Sequence, residues 1–217
     1  LSSCGAYNIN FSESTPSQSR ANHISRSLEK DSEYNFQYFD ILGKTAGVFL
    51  INNAVKIPGE VINSFSQMST NRLKETNLFE SIVPPKRVIE LLNKHGKIKQ
   101  LSSIYMDTLT NISISDKDIS KPMAEYLNVN SFFVLQVDNW PCSECLLQDR
   151  IRIKIKIVNA EFSEILWTGI DEIFTSDNPS EQFPEMAKIL LTDLFDNFYN
   201  RFKIKWHKKR YHQLAQL

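Results

Sequence analysis

The sequence predicts an α+β domain: a mixed β-sheet packed by helices, with a C-terminal amphipathic helix. Three observations carry this. From Arg150 to Val158, isoleucines at 151, 153, 155 and 157 alternate with Arg152, Lys154 and Lys156, the period-two pattern of a strand with one face in a core and the other in water. Phe132 to Val137 is almost continuously apolar, as expected of a strand covered on both faces. Met186, Leu190, Leu194, Phe198 and Phe202 recur every four residues, so the closing segment is a helix with a broad apolar stripe suited to lie on the sheet.

The remaining elements follow in chain order. Residues 5–33 are rich in Ser, Asn, Gln and charge, a composition that buries too little apolar surface to offset chain entropy, so a flexible spacer is expected. Gly47 to Ile51 is a short apolar run and reads as the first, central strand. Pro58 suits a helix start, and Val61, Ile62, Phe65, Met68 and Leu73 continue that helix to about Thr76. Leu78 to Val83 reads as a strand ended by Pro84 and Pro85. Two helices follow, one through Val88 to Leu92 stopping near His95 and Gly96, the other through Leu101, Ile104, Tyr105 and Leu109. Ser120 is a candidate N-cap for a helix with Pro122 in its first turn, leading through Met123 and Leu127 into the strand at Phe132. After Val158, the few residues from Ala160 to Ser163 fit a hairpin turn before a strand from Glu164. The expected organisation is a tether over 1–35, an α+β domain over 36–203 and a basic tail over 204–217.

Composition excludes several classes. The 217 residues can bury one sizeable core, and 25 basic against 25 acidic residues leave no net charge to advertise nucleic acid. No apolar run is long enough for a membrane-spanning helix. Leu1-Ser2-Ser3-Cys4 resembles the lipobox of bacterial lipoproteins, as if a signal peptide had been trimmed, and Cys4 is the expected acylation site. Gly5 after the cysteine, where an aspartate would retain the protein at the inner membrane, resembles the outer-membrane sorting pattern. Lipid would anchor the chain without spanning.

Cys142 and Cys145 have the spacing of a zinc half-site or a redox pair. No second CxxC or HxxxH accompanies them to complete a metal site, and strand sequence follows where a thioredoxin-like pair would open a helix. A local disulfide in an oxidising compartment is the expectation, with free thiols or a redox or metal role as the alternatives. His23, His95, His207 and His212 are scattered. No nucleophile elbow, glycine-rich phosphate loop or metal-binding repeat occurs, and no catalytic residue, metal or cofactor is assigned. The dense basic segment from Lys203 to Tyr211 places Lys205, Trp206, Lys208, Lys209 and Arg210 as candidates for contact with an anionic surface or acidic partner. A solvated helix end, with charge that suits the helix dipole, is the other reading.

Ala124, Leu127 and Val129 leading into Phe132 to Val137, and Val158-Asn159-Ala160 followed by Glu164-Ile165-Leu166-Trp167, resemble the strand entry and hairpin of a group of periplasmic lipoproteins. That group includes the CsgG-like curli secretion lipoprotein, the penicillin-binding-protein activator LpoB and the N-terminal domain of TolB. Leu78 to Val83 is similar to the group's second strand, and the resemblance covers roughly residues 45–202. Asn128 stands where the group has glycine and Asn159 where it has aspartate. The tight turn from Asn159 to Glu164 leaves no segment for a secretion pore.

The resemblance implies a non-enzymatic lipoprotein on the periplasmic face of the outer membrane that binds a cell-envelope protein as a scaffold or activator. An oligomeric subunit of a secretion or flagellar assembly, a homo-oligomer included, is the alternative. A redox or metal protein using Cys142 and Cys145 is the alternative of another class. No nucleic-acid partner is expected.

Overall fold

The computed structural model describes residues 23–26, 44–53, 57–142, 150–175 and 180–214, with side chains described from Lys44 to Asn200 within those ranges. Its elements are β1 (His23–Arg26), β2 (Lys44–Asn52), α1 (Gly59–Glu75), β3 (Phe79–Val83), α2 (Pro85–Asn93), α3 (Gly96–Ile112), α4 (Lys117–Leu127), β4 (Ser131–Asn139), β5 (Arg150–Asn159), β6 (Glu164–Phe174) and α5 (Phe183–Leu214). The strands form one six-stranded sheet in the order β1-β6-β5-β4-β2-β3. β2 runs parallel to both β3 and β4, whereas β4, β5, β6 and β1 are successively antiparallel. The sheet is therefore mixed, and the protein is α+β.

Both faces of the sheet are covered. The isoleucines at 151, 153, 155 and 157, with Val48, Phe133, Leu135 and Trp167, form one core with α1 and α5. Phe49, Phe132, Val134 and Val158 form a second core with residues from α2, α3 and α4. Within the first core, Phe133 stacks on Phe195 at 5.3 Å and Trp167 lies 5.3 Å from Phe198. Gly169 admits the Trp167 ring, because a β-carbon there would stand 2.3 Å from it and 3.0 Å from Leu194.

Four features depart from the sequence expectations. His23–Arg26, inside the stretch read as spacer, is a strand, pairing His23 with Ile173 through Arg26 with Ile170. An edge strand needs backbone donors and acceptors more than apolar side chains, so composition does not reveal it. The polar face of β5 is only partly in water, since Lys156 is buried and Lys154 and Asp138 form a half-buried ion pair at 3.1 Å. The N-cap of α4 is Asp116, whose Oδ1 accepts from the Asp118 amide at 2.8 Å, so the helix opens a turn earlier than Ser120 and Pro122 lies within it. Finally, α5 is continuous from Phe183 to Leu214, so no boundary separates the basic tail from the domain helix.

Candidate functional site

The candidate site is the end of the sheet where the β5–β6 turn meets the α3–α4 loop. Asn159 Oδ1 accepts from the amides of Glu161 at 3.0 Å and Phe162 at 3.3 Å, an Asx turn that asparagine makes as well as aspartate. Ser163 completes the turn with φ of 61°, and Ser113 ends α3 in the left-handed region with φ of 57°.

A chain of hydroxyls ties these two loops together. Tyr105 Oη and Ser115 Oγ lie 2.6 Å apart, and Ser115 Oγ lies 2.6 Å from Ser163 Oγ. Ser120 Oγ, 3.1 Å from Ser163 Oγ, donates to the Ala160 carbonyl at 3.0 Å. Hydroxyls both donate and accept, so the chain can satisfy itself without charge. Burial, reinforced by Asp116 and opposed by the hydrogen bonds to Ser115 and Ser163, raises the Tyr105 phenol to about 12. It is neutral at any physiological pH.

Lys156 supports the same loop from below. Its Nζ donates to the Leu109 carbonyl and, at 2.9 Å, to Ser113 Oγ. Leu109 lies in the last turn of α3, where carbonyls lack helical partners and a cation is favoured by the dipole. Burial first, then the neighbouring Lys154, lowers its pKa to about 8, against the opposing pull of Asp138. The geometry is that of a helix cap: the amine donates to both oxygens and holds the loop.

The loops so held expose apolar side chains. Ile112 is 62% exposed, Ile114 54% and Phe162 54%. A flexible loop could fold such residues inward, but the Ser115–Ser163 contact and the Lys156 cap fix their backbone. Around them stand the exposed carboxylates Asp116, Asp118, Glu161 and Glu164, with Lys117 the one cation in residues 112–118 and 160–164. Apart from this tip, a cavity of about 320 Å³ lies over β2, lined by Phe49, Ile51, Val88, Leu92 and Met106 with Asn53 and Asp107. No group of three or more potential metal ligands occurs among the described residues.

No protein-family model and no curated protein matches the chain. Several solved structures do. They include the PelC dodecamer from Paraburkholderia phytofirmans, at 10% identity over 79% of this chain and 94% of that one, with a TM-score of 0.45. Lipoprotein GNA1162 from Neisseria meningitidis is also 10% identical, over 69% of this chain and 94% of that one, at 0.37. The LpoB C-terminal domain from Salmonella enterica is 12% identical, over 61% of this chain and 84% of that one, at 0.39. The LpoB among them is also one of the three members of the group that the sequence resembles.

The residues singled out from sequence fall elsewhere. Cys142, just beyond β4, is disulfide-bonded, while Cys145 and Cys4 lie outside the described residues. Lys205, Trp206, Lys208, Lys209 and Arg210 are on the α5 backbone, and their side chains lie outside the described ones. His95 caps α3, with Nδ1 accepting from the Ile98 amide at 3.3 Å, and packs its ring edge-on to Tyr126. The sequence reading missed Ile112, Ile114, Phe162 and Lys156. The one available signal was Ile112-Ser-Ile-Ser115, an apolar pair in a polar loop with no strand or helix period to absorb it.

Proposed function

We propose that this chain is a non-enzymatic, outer-membrane-anchored periplasmic lipoprotein that binds another cell-envelope protein as a scaffold or activator. The observation that carries the binding role is the exposed trio of Ile112, Ile114 and Phe162 on loops rigidified by the hydroxyl chain and the Lys156 cap. Apolar side chains held outward in a fixed geometry lose little entropy on association, which is the property of an interface anchor. The address rests on the resemblance of Leu1-Ser2-Ser3-Cys4 to a lipobox. The disulfide at Cys142 serves in this reading as a structural staple suited to an oxidising compartment.

The test is mass spectrometry of the N-terminal peptide from envelope membranes, joined to crosslinking of the wild-type chain and of Phe162→Asp. Acylated Cys4, with a specific envelope crosslink that Phe162→Asp loses, is the expected result. An unmodified Cys4 overturns the address, and a crosslink indifferent to Phe162 overturns the site.

A further inference from the structure

We propose that the acidic, apolar tip of one copy receives the basic C-terminal overhang of α5 from a second copy, closing a two-fold dimer. This rests on the reading of the tip as an interface and is independent of the lipid anchor.

The direction of α5 is fixed by its contacts. Leu194 lies against Gly169, and four residues later Phe198 lies against Trp167, so the helix runs toward the start of β6 and the β5–β6 turn. Trp167 and Phe133 both pair with Ile157, two residues from the end of β5. Phe198, which touches both, therefore sits near the end of the sheet. From there α5 continues to Leu214, about 24 Å at the rise of an α-helix, past the last paired strand residues.

The overhang has a distinctive sequence. After Asp196 no carboxylate side chain occurs, while Arg201, Lys203, Lys205, Lys208, Lys209 and Arg210 supply cations, with Phe202, Ile204 and Trp206 among them. The tip has the opposite character: Phe162, Ile114 and Ile112 amid Asp116, Asp118, Glu161 and Glu164. In sequence each segment carries what the other lacks, apolar residues accompanied by charge of the opposite sign.

Both surfaces occur at the same end of the molecule, separated by the thickness of the sheet, because α5 packs on one face and α3 on the other. Two copies meeting end to end can thus offer overhang to tip twice, once in each direction. Such an isologous contact closes at two subunits rather than propagating as a filament. An anionic membrane is the competing occupant of the basic overhang, but the four carboxylates of the tip would then face like charge.

Light scattering on the purified full chain, without lipid, tests the proposal. The expected mass is twice the 25.1 kDa of one chain at tens of micromolar, falling toward one chain as salt is raised. Phe162→Asp, at an exposed position, and the triple variant Lys205→Glu, Lys208→Glu, Lys209→Glu are each expected to weaken dimerisation at least about tenfold, with unchanged melting temperature. Adding Glu161→Lys and Glu164→Lys to the triple variant is expected to restore it. A wild-type monomer, or a dimer insensitive to these changes, overturns the proposal. So does a monomer that binds vesicles of anionic phospholipid through the same lysines. Acylation of Cys4, and an envelope crosslink lost in Phe162→Asp but kept in the triple lysine variant, remain the separate test of the binding role itself.

Discussion

Lys156 stands on the strand face that alternation assigns to solvent, yet it is buried beneath the end of α3. Its folded pKa of about 8 lies below the 10.5 of a free lysine, so between these values the unfolded chain binds more protons and stability rises with pH. Below about pH 8 both states carry the proton and this contribution is constant. Tyr105, raised from 10.0 to about 12, acts oppositely and only above pH 10, where the unfolded phenol ionises first. The urea midpoint of the wild type is expected to climb between pH 8 and 10, and that of Lys156→Met to climb less; equal slopes would place the amine in water. At the same scale, Trp167 is buried against Phe198 and over Gly169, so Trp167→Ala should cost about 3–5 kcal/mol in denaturant unfolding.

Among the elements, α4 shows how local chemistry sets an end that hydrophobic period leaves open. Asp116 starts it through a side-chain bond to the Asp118 amide, and Asn128 stops it in the left-handed region with φ of 54°. Asparagine tolerates that conformation, which is why it can stand where the resembled lipoproteins have glycine. Asn128→Ala is expected to lower stability by about 1–2 kcal/mol and Asn128→Gly to leave it equal or slightly higher, both read from thermal melts. The strands β4 and β5 and the helix α5 were legible because burial imposes a period on them. The start of α4 was misread by a turn because Asp116 and Ser120 are both good caps, and only tertiary contact assigns the Ser120 hydroxyl to the Ala160 carbonyl instead.

For the whole molecule, the order of strands determines where the structure opens. β4 and β5 are inner strands, β4 buried on both faces from Ser131 to Val137 and β5 from Ile155 onward, whereas β1 and β3 are the edges among the described strands. Amide hydrogen exchange is expected to be slowest in β4 and β5 and fastest among the strands in β1. The candidate site was scarcely legible because it exists only where chain segments some forty-eight residues apart meet, as the Ser115–Ser163 contact does. No local pattern encodes such a meeting, whereas the net composition and the apolar periods that encode the layers are local.

The pairing of β1 with β6 also has a consequence in time. His23–Arg26 is made well before its partner Ile170–Ile173, with most of the described chain between them. At about 5–20 residues per second the interval is of order ten seconds, during which β1 has no native strand to join. β2 waits likewise for β4, since the Thr45 amide reaches Asn130 across 85 positions of chain. The hairpin of β5 and β6, with its short turn, can form as soon as it emerges. Folding should therefore nucleate at the β5–β6 hairpin and travel backward through the sequence, so that β1 is the last of the described strands to be fastened.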